Sequence, residues 1–481
     1  MKRGNRMTAR MGWLVLLTTL ISSSASGGGF EVNENGANIL GRSGAFTAKA
    51  DHPLAIHYNP AGLLNWQGNR LYVGANMNVL NLEFERSGID ALLADGTYTS
   101  ATVSNEAPPF IAPSLAWGYG GGEWAIGAAL HGPGAVGNRS FDPKGAQRFL
   151  MTEENFLLAY ASLAGAYQIT PELSFGITAQ FVTMPFAQLT MVVDANYTAG
   201  KQQSETDPWL AEAEVDMADW TGFSSIIGLL YKPTSFFEIG LSSRVLPIDI
   251  NATGDLNLSF PNPDTQKLLD NGSLKTVDAS CEAAKDCPES TSGDLTLVLP
   301  PWVRLGLRYV DRDAAGEEKF DLELDVVYEF WSMLDAYRVK TNYQMSFLGS
   351  LIPINEISMP KNYRDSWSVR LGSDVRLVKD LLTLHAGAHY ESPAVTKEFT
   401  HLDFTNFHRI GASLGFTAKF SGMELTLAYQ FIYQPEWVVS EDEAAMPLLR
   451  PTSEVDEQII VNAGTYRSQY HTLSLGLVAS F

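Results

Sequence analysis

The last ten residues, Thr472–Phe481, read TLSLGLVASF. Leu473, Leu475, Leu477, Ala479 and Phe481 fall on one face and Thr472, Ser474, Gly476, Val478 and Ser480 on the other. Apolar residues at every second position describe a strand with one greasy face and one small or polar face. The strand ends the chain on an aromatic. The segment before it repeats the pattern: Met423, Leu425, Leu427, Tyr429, Phe431 and Tyr433 alternate with Glu424, Thr426, Ala428, Gln430, Ile432 and Gln434. So does the next, where Ile410, Ala412, Leu414, Phe416, Ala418 and Phe420 alternate with Arg409, Gly411, Ser413, Gly415, Thr417 and Lys419.

Working backward, fourteen such strands are expected, beginning near Arg70, Ile111, Trp124, Asn155, Leu173, Trp220, Phe236, Leu295, Lys319, Arg364, Leu381, His408, Met423 and Arg467. Their connections alternate. The short ones include Gly120-Gly121-Gly122, Thr170-Pro171, Lys232-Pro233 and Ser421-Gly422, and the long polar ones span 194–219, 251–294, 333–362 and 438–464. An even strand count, tight turns at one end and long loops at the other are the pattern of an outer-membrane barrel. The fold class expected is therefore all-β, a 14-stranded antiparallel transmembrane barrel over 67–481.

The amino terminus agrees. Lys2, Arg3, Arg6 and Arg10 precede an apolar run from Met11 to Ile21 and small residues from Ser22 to Gly29. That order is a secretory signal, with 1–25 removed and a mature start near Ser26. The chain carries 33 basic and 54 acidic residues, net −21, and loss of the signal makes it −25. Such acidity argues against nucleic acid as a partner. It suits the cell surface, where divalent cations are available. Cell-surface placement makes outer-membrane lipid and lipopolysaccharide the surroundings of the barrel, and a monomer is expected.

A barrel's non-lipid face lines its lumen. Asp321, Glu323, Asp325, Val327 and Glu329 point inward on one strand, between Trp302, Arg304, Gly306 and Arg308 on one side and Ser368, Arg370, Gly372, Asp374 and Arg376 on the other. Opposite charges on adjacent strands attract, so this reads first as a salt-bridge lattice that stiffens the wall and seats a plug. Arg244, Arg304 and Arg409 are candidates to hold an anionic headgroup. His385 and His389 also face inward, but four residues along a strand separate them by roughly 13 Å, too far for one metal. No metal site, cofactor, nucleophile elbow or phosphate loop is expected, so the chain does not read as an enzyme. Cys281 and Cys287, the two cysteines, lie in the 251–294 loop and are expected to form a disulfide.

Residues 26–66 precede the first strand and are rich in Gly, Ala and Asn, with no charge run. The turn in HYNPAGLL, 57–64, suggests a folded insert, a hatch inside the barrel. Here the sequence resembles a family. GGGFEVNENGANILGRSGAFTAKADHPLAIHYNPAGLL, 27–64, is similar to the N-terminal hatch of the FadL-type transporters of long-chain fatty acids and aromatic hydrocarbons. The matching positions are Gly29-Phe30, Gly41-Arg42 and Asn59-Pro60-Ala61. The ending GTYRSQYHTLSLGLVASF and the segment LVLPPWVRLGLRY also resemble family sequence, and the final aromatic resembles the signal read by the barrel assembly machinery.

The resemblance implies passive uptake of a hydrophobic compound. Extracellular loops capture the substrate, an apolar site beside the hatch holds it, the hatch N-terminus shifts, and the substrate leaves sideways at a kink in the third strand. Gly132-Pro133-Gly134 is the candidate kink, since proline removes a ladder donor and glycine marks a bend. The other reading is that the strand ends at His131. Trp209, Leu210, Met217 and Trp220, in a segment expected to be a short acidic helix, are candidates for capture. Phe156, Leu158 and Tyr160, on a strand apolar on both faces, are candidates for the inner pocket. A long-chain fatty acid is the expected substrate. Neutral aromatic hydrocarbons, or a closed structural or adhesive barrel, are the alternatives.

Overall fold

The computed structural model describes residues 34–133, 138–197, 204–283, 287–452 and 457–481. The expected signal segment and Gly29-Phe30 lie outside the described residues, as does Gly134. Fourteen antiparallel strands close into a barrel. In chain order they are β1 Gly68–Arg86, β2 Phe110–Gly120, β3 Trp124–His131, β4 Glu153–Gln168, β5 Leu173–Asp194, β6 Leu210–Thr234 and β7 Phe237–Arg244. There follow β8 Trp302–Arg312, β9 Glu318–Glu329, β10 Ser366–Val378, β11 Leu382–Glu391, β12 Arg409–Phe420, β13 Met423–Val439 and β14 Gly464–Ser480. Closure comes from β1 pairing with β14, from Arg70↔Ser480 to Arg86↔Gly464. The period-two pattern sets this register, because a one-residue slip would turn every apolar side chain inward. Leu473, Leu475 and Leu477 are exposed on the outer face, and so are Trp124, Tyr167, Tyr309 and Phe320 near the short-turn end. An apolar belt with aromatic ends is what lipid requires.

Two expectations about strand limits are corrected. The segment starting at Leu295 is not one strand. Ser292–Leu299 pairs with Ile248–Ser259 and with part of Ala336–Thr341 in the loop region, and β8 starts only at Trp302. Pro300 and Pro301 have no N–H to continue a ladder. The acidic stretch before Trp220 is not helical but the first half of β6. Ala211, Ala213, Val215 and Met217 alternate inward with Glu212, Glu214 and Asp216, a period of two. The long loops are themselves built of strands, short helices (Asp90–Ala94 and Pro263–Asp270) and a three-stranded sheet of Leu274–Asp278, Tyr343–Phe347 and Ser350–Ile352. Cys281 and Cys287 are bonded to each other.

Residues 34–66 fill the lumen as two short helices, Ala37–Gly41 and Ala55–Tyr58, and a 3₁₀ turn, Pro60–Asn65. Their seat is made by inward glycines. A Cβ at Gly228 would lie 2.1 Å from Asn59 Oδ1, and one at Gly176 would lie 2.4 Å from Ala61 N. The Asn-Pro-Ala turn thus rests directly on the backbones of β5 and β6. Asn59 Nδ2 donates to Thr47 O (2.8 Å) and Leu229 O (2.9 Å), and its Oδ1 accepts from Ala61 N (3.2 Å). One amide side chain ties the turn to itself, to the hatch and to the wall.

The expected charge lattice is the second anchor. Arg42, fully buried, reaches Asp321 (2.7 Å), Asp374 (2.7 Å) and Glu323 (3.2 Å). Lys49 reaches Glu318 (2.9 Å) and Asp321 (3.1 Å). Asp325 accepts from the backbone N–H of Phe46 and of Thr47 (2.9 Å each) and from the Thr47 hydroxyl (2.7 Å). Carboxylates on β9 therefore satisfy hatch donors that no helix or ladder would reach.

Candidate functional site: an apolar cavity, an arginine pair and a broken strand

Above the hatch, the upper parts of β4, β5 and β6 and the strands of the long loops line an apolar cavity. Phe156, Leu158, Met184, Met191, Val215 and Phe404 are among its lining residues, and Glu154, Gln188 and Tyr337 contribute its polar groups. Methionine adapts to occupants of different shape. Phe156 and Leu158 line the cavity. Tyr160 does not; it lies farther down β4, against the hatch.

Leu158 is shared with a small recess, lined also by Arg244, Trp302, Glu329 and Trp331. Here the inward arginines gather. Arg244 lies over the rings of Trp302 (5.7 Å) and Tyr160 (5.8 Å), and Arg304 over Trp302 (4.6 Å) and Tyr58 (5.2 Å). Arg304 is only 4% exposed, yet its Nε and one Nη have no hydrogen-bond partner, and no carboxylate pairs with it among the described residues. Buried N–H groups of a guanidinium are costly to leave unmet. Arg409, the third headgroup candidate, is elsewhere: it pairs with Glu391 (2.6 Å), which also pairs with Arg370 (3.1 Å).

Beside this recess the hatch places His57 against Trp302 and Tyr58 under Arg304, two residues the sequence reading did not single out, although they open the HYNPAGLL stretch. The His57 ring lies 5.0 Å from that of His131 and 6.2 Å from that of Tyr160. Burial first, and then His131, Arg244 and Arg304, push the His57 imidazole well below its ordinary value, so the ring is neutral.

β3 stops beside this group. Its ladders end at Ser114↔His131 with β2 and at His131↔Tyr160 with β4. The chain rejoins β4 at Asn138↔Asn155 and Arg139↔Glu154. Gly132 and Pro133 belong to neither ladder, and the Asn35 side chain of the hatch donates to Gly132 O. A Cβ at Gly132 would lie 2.7 Å from Leu158 O, so the chain passes close to β4 where it leaves the sheet. The third strand is thus interrupted beside the hatch: regular pairing ends at His131, and the chain returns to the same neighbour at Asn138.

The capture candidates do not form an open surface. Trp209 packs against Tyr197 (5.2 Å) and Phe347 (5.4 Å), Leu210 and Met217 are buried, and Trp220 points out toward lipid. Below the hatch, a polar vestibule is lined by Lys49, Asp51, Arg70, Arg312 and Glu318, with others. No group of residues arranged to hold a metal ion is found among the described residues.

A closed barrel with a lumen-filling hatch, an apolar cavity on the loop side and a polar vestibule on the other is a channel for hydrophobic solutes. The sequence matches the family of outer membrane transport proteins (OMPP1/FadL/TodX) over residues 18–471, and the chain belongs to that family. Its fold is similar to that of a Pseudomonas aeruginosa FadL homologue, with a TM-score of 0.73, 16% identity, and 94% of this chain and 100% of that one covered. It is similar also to the Ralstonia pickettii toluene transporter TbuX, with a TM-score of 0.61, 15% identity, and 94% and 100% covered. The P. putida toluene transporter TodX gives a TM-score of 0.57 at 16% identity, with 89% and 94% covered. No curated protein matches the sequence. The family consists of transport channels, not enzymes, and places the chain in the outer membrane of a Gram-negative cell.

Proposed function

We propose that this protein admits long-chain fatty acids by passive diffusion. The acyl chain occupies the apolar cavity, the carboxylate meets Arg304 and Arg244, and the substrate leaves into the bilayer through the interruption after His131. The observation that carries the reading is the pair of unmatched N–H groups on buried Arg304, which lies over Tyr58 of the hatch and Trp302 of the recess. A carboxylate bound there gives the buried guanidinium an acceptor and a charge-assisted hydrogen bond. Sideways exit follows from solvation: a greasy chain gains by entering lipid and gains nothing in the charged vestibule. The hatch N-terminus, tied to Gly132 through Asn35, is the part that shifts. Export by a signal ending at Ala25, and a hatch spanning 26–66, complete the proposal.

The test is oleate uptake by cells that lack their own fatty-acid transporter. Expression of the wild type raises uptake above the empty vector, and Arg304→Ala with Arg244→Ala abolishes the rise while the barrel still folds. Uptake unchanged by the double substitution contradicts the headgroup site. A second reading, neutral aromatic hydrocarbons, is favoured by the predominantly apolar lining and the toluene-transporting relatives. It predicts toluene uptake that the same substitutions leave intact.

A further inference from the structure

We infer that Leu158 is the gate between the apolar cavity and the recess, and that the room it leaves decides which hydrophobic compounds pass. The inference rests on the route proposed above, from cavity to recess to the break after His131, and assigns that route a selecting residue. Among the described residues, Leu158 alone lines both spaces. Its side chain is buried, so it fills the boundary on which it stands. A compound that reaches from one space into the other goes past it.

Both neighbouring ladders skip Leu158 among the described residues. Toward β3, pairing with β4 ends at His131↔Tyr160 and resumes at Asn138↔Asn155. Toward β5, Leu157 pairs with Phe186 and Ala159 with Thr183, so Leu158 faces Met184 and Pro185 and is in register with neither. An extra residue in one strand is a β-bulge, and a proline there has no N–H to give a ladder. β6 has a bulge of its own between Val182↔Gly222 and Met184↔Asp219. The bulge in β5 changes which residues face inward. Before it, Gln180, Val182 and Met184 are buried; after it, Ala187, Leu189 and Met191 turn to the cavity. Bulges re-aim side chains beside functional sites in this way. Here the bulge shapes the cavity and leaves Leu158 on backbone that neither ladder holds. A leucine so placed is a yielding barrier. It offers no polar contact, and it can change rotamer without breaking an inter-strand pair. A flexible linear chain slides past it. A branched compound needs more volume than a close-packed wall gives up cheaply.

The experiment measures uptake of oleate and of phytanate, whose chain bears methyl branches along its length, by cells expressing the whole protein. Wild type should favour oleate by roughly tenfold or more, the discrimination that extra methyl groups meet in a close-fitting apolar passage. Leu158→Ala, and to a lesser degree the gentler Leu158→Val, should cut that preference several-fold. Phe156→Ala enlarges the cavity alone and should alter the preference much less. Three results would each overturn the inference: equal uptake of both fatty acids by wild type, a preference unchanged in the folded Leu158 variants, or an equal change from Phe156→Ala. If wild type carries toluene but no oleate, the fatty-acid reading falls by itself. The same variants are then compared on toluene and mesitylene, where the same shift supports the gate and its absence overturns it. Uptake of none of these compounds removes the route, and the gate with it.

Discussion

Arg304 and Arg308 point inward from the same strand, four residues apart, and live in opposite surroundings. Arg308 pairs with Glu238 (2.7 Å), Glu318 (2.5 Å) and Asp321 (2.7 Å). Arg304 lies over two aromatic rings and has unmatched N–H groups. The first belongs to the lattice that grips the back of the hatch; the second faces its front. The difference separates anchoring from binding. Where every charge is matched, motion would expose buried ions, and the hatch stays. Where Arg304 meets no carboxylate among the described residues, a ligand has something to offer, and the Asn35 amide spans from the hatch to the broken strand.

The largest effect is expected at the anchor. Arg42→Ala leaves Asp321, Glu323 and Asp374 without their shared cation, at a cost of about 3–5 kcal/mol. The hatch should loosen, and planar-bilayer recordings should show large, frequent openings that the wild type lacks. A silent bilayer would mean that the lattice does not hold the plug. Arg304→Ala should behave in the opposite way. It removes no ion pair, so the denaturation midpoint should be unmoved, while oleate binding weakens roughly tenfold to a hundredfold, the worth of a charge-assisted hydrogen bond. A stability loss comparable to that of Arg308→Ala would erase the distinction drawn here. Pro133→Val restores a backbone N–H at the interruption. Uptake should fall several-fold with oleate affinity intact, since affinity and exit are set by different residues; an unchanged rate would place the exit elsewhere.

Much of this was legible in the sequence because a membrane barrel writes its inner and outer faces in alternate letters. The rows Asp321-Glu323-Asp325 and Arg304-Arg308 could be assigned inward, and their pairing anticipated, from period alone. The hatch was legible through its turn: Asn59 caps Pro60–Asn65 as an asparagine before a proline should. What was hidden depends on contacts between distant segments. Nothing local distinguishes Arg409, neutralised by Glu391, from Arg304, which has no such neighbour. His57 and Tyr58 matter because β3, β4 and β8 converge on them. Met359 and Phe404 enter the cavity from loops whose paths no period encodes. The misjudged segment before Trp220 is different, since the alternation AEAEVDM was present and the spacing of Trp209, Leu210, Met217 and Trp220 was read instead.

The claim that the hatch works at its front and is fixed at its back can be tested by locking each side. In a chain with Cys281 and Cys287 replaced by serine, one variant carries cysteines at Asn35 and Gly132, and a second carries them at Ala48 and Gly306, whose backbones touch at the back of the hatch. Oleate uptake is then measured before and after oxidation. The account predicts that the front crosslink stops uptake, that reductant restores it, and that the back crosslink has no effect. Uptake that survives the front lock, or fails only with the back one, would contradict it.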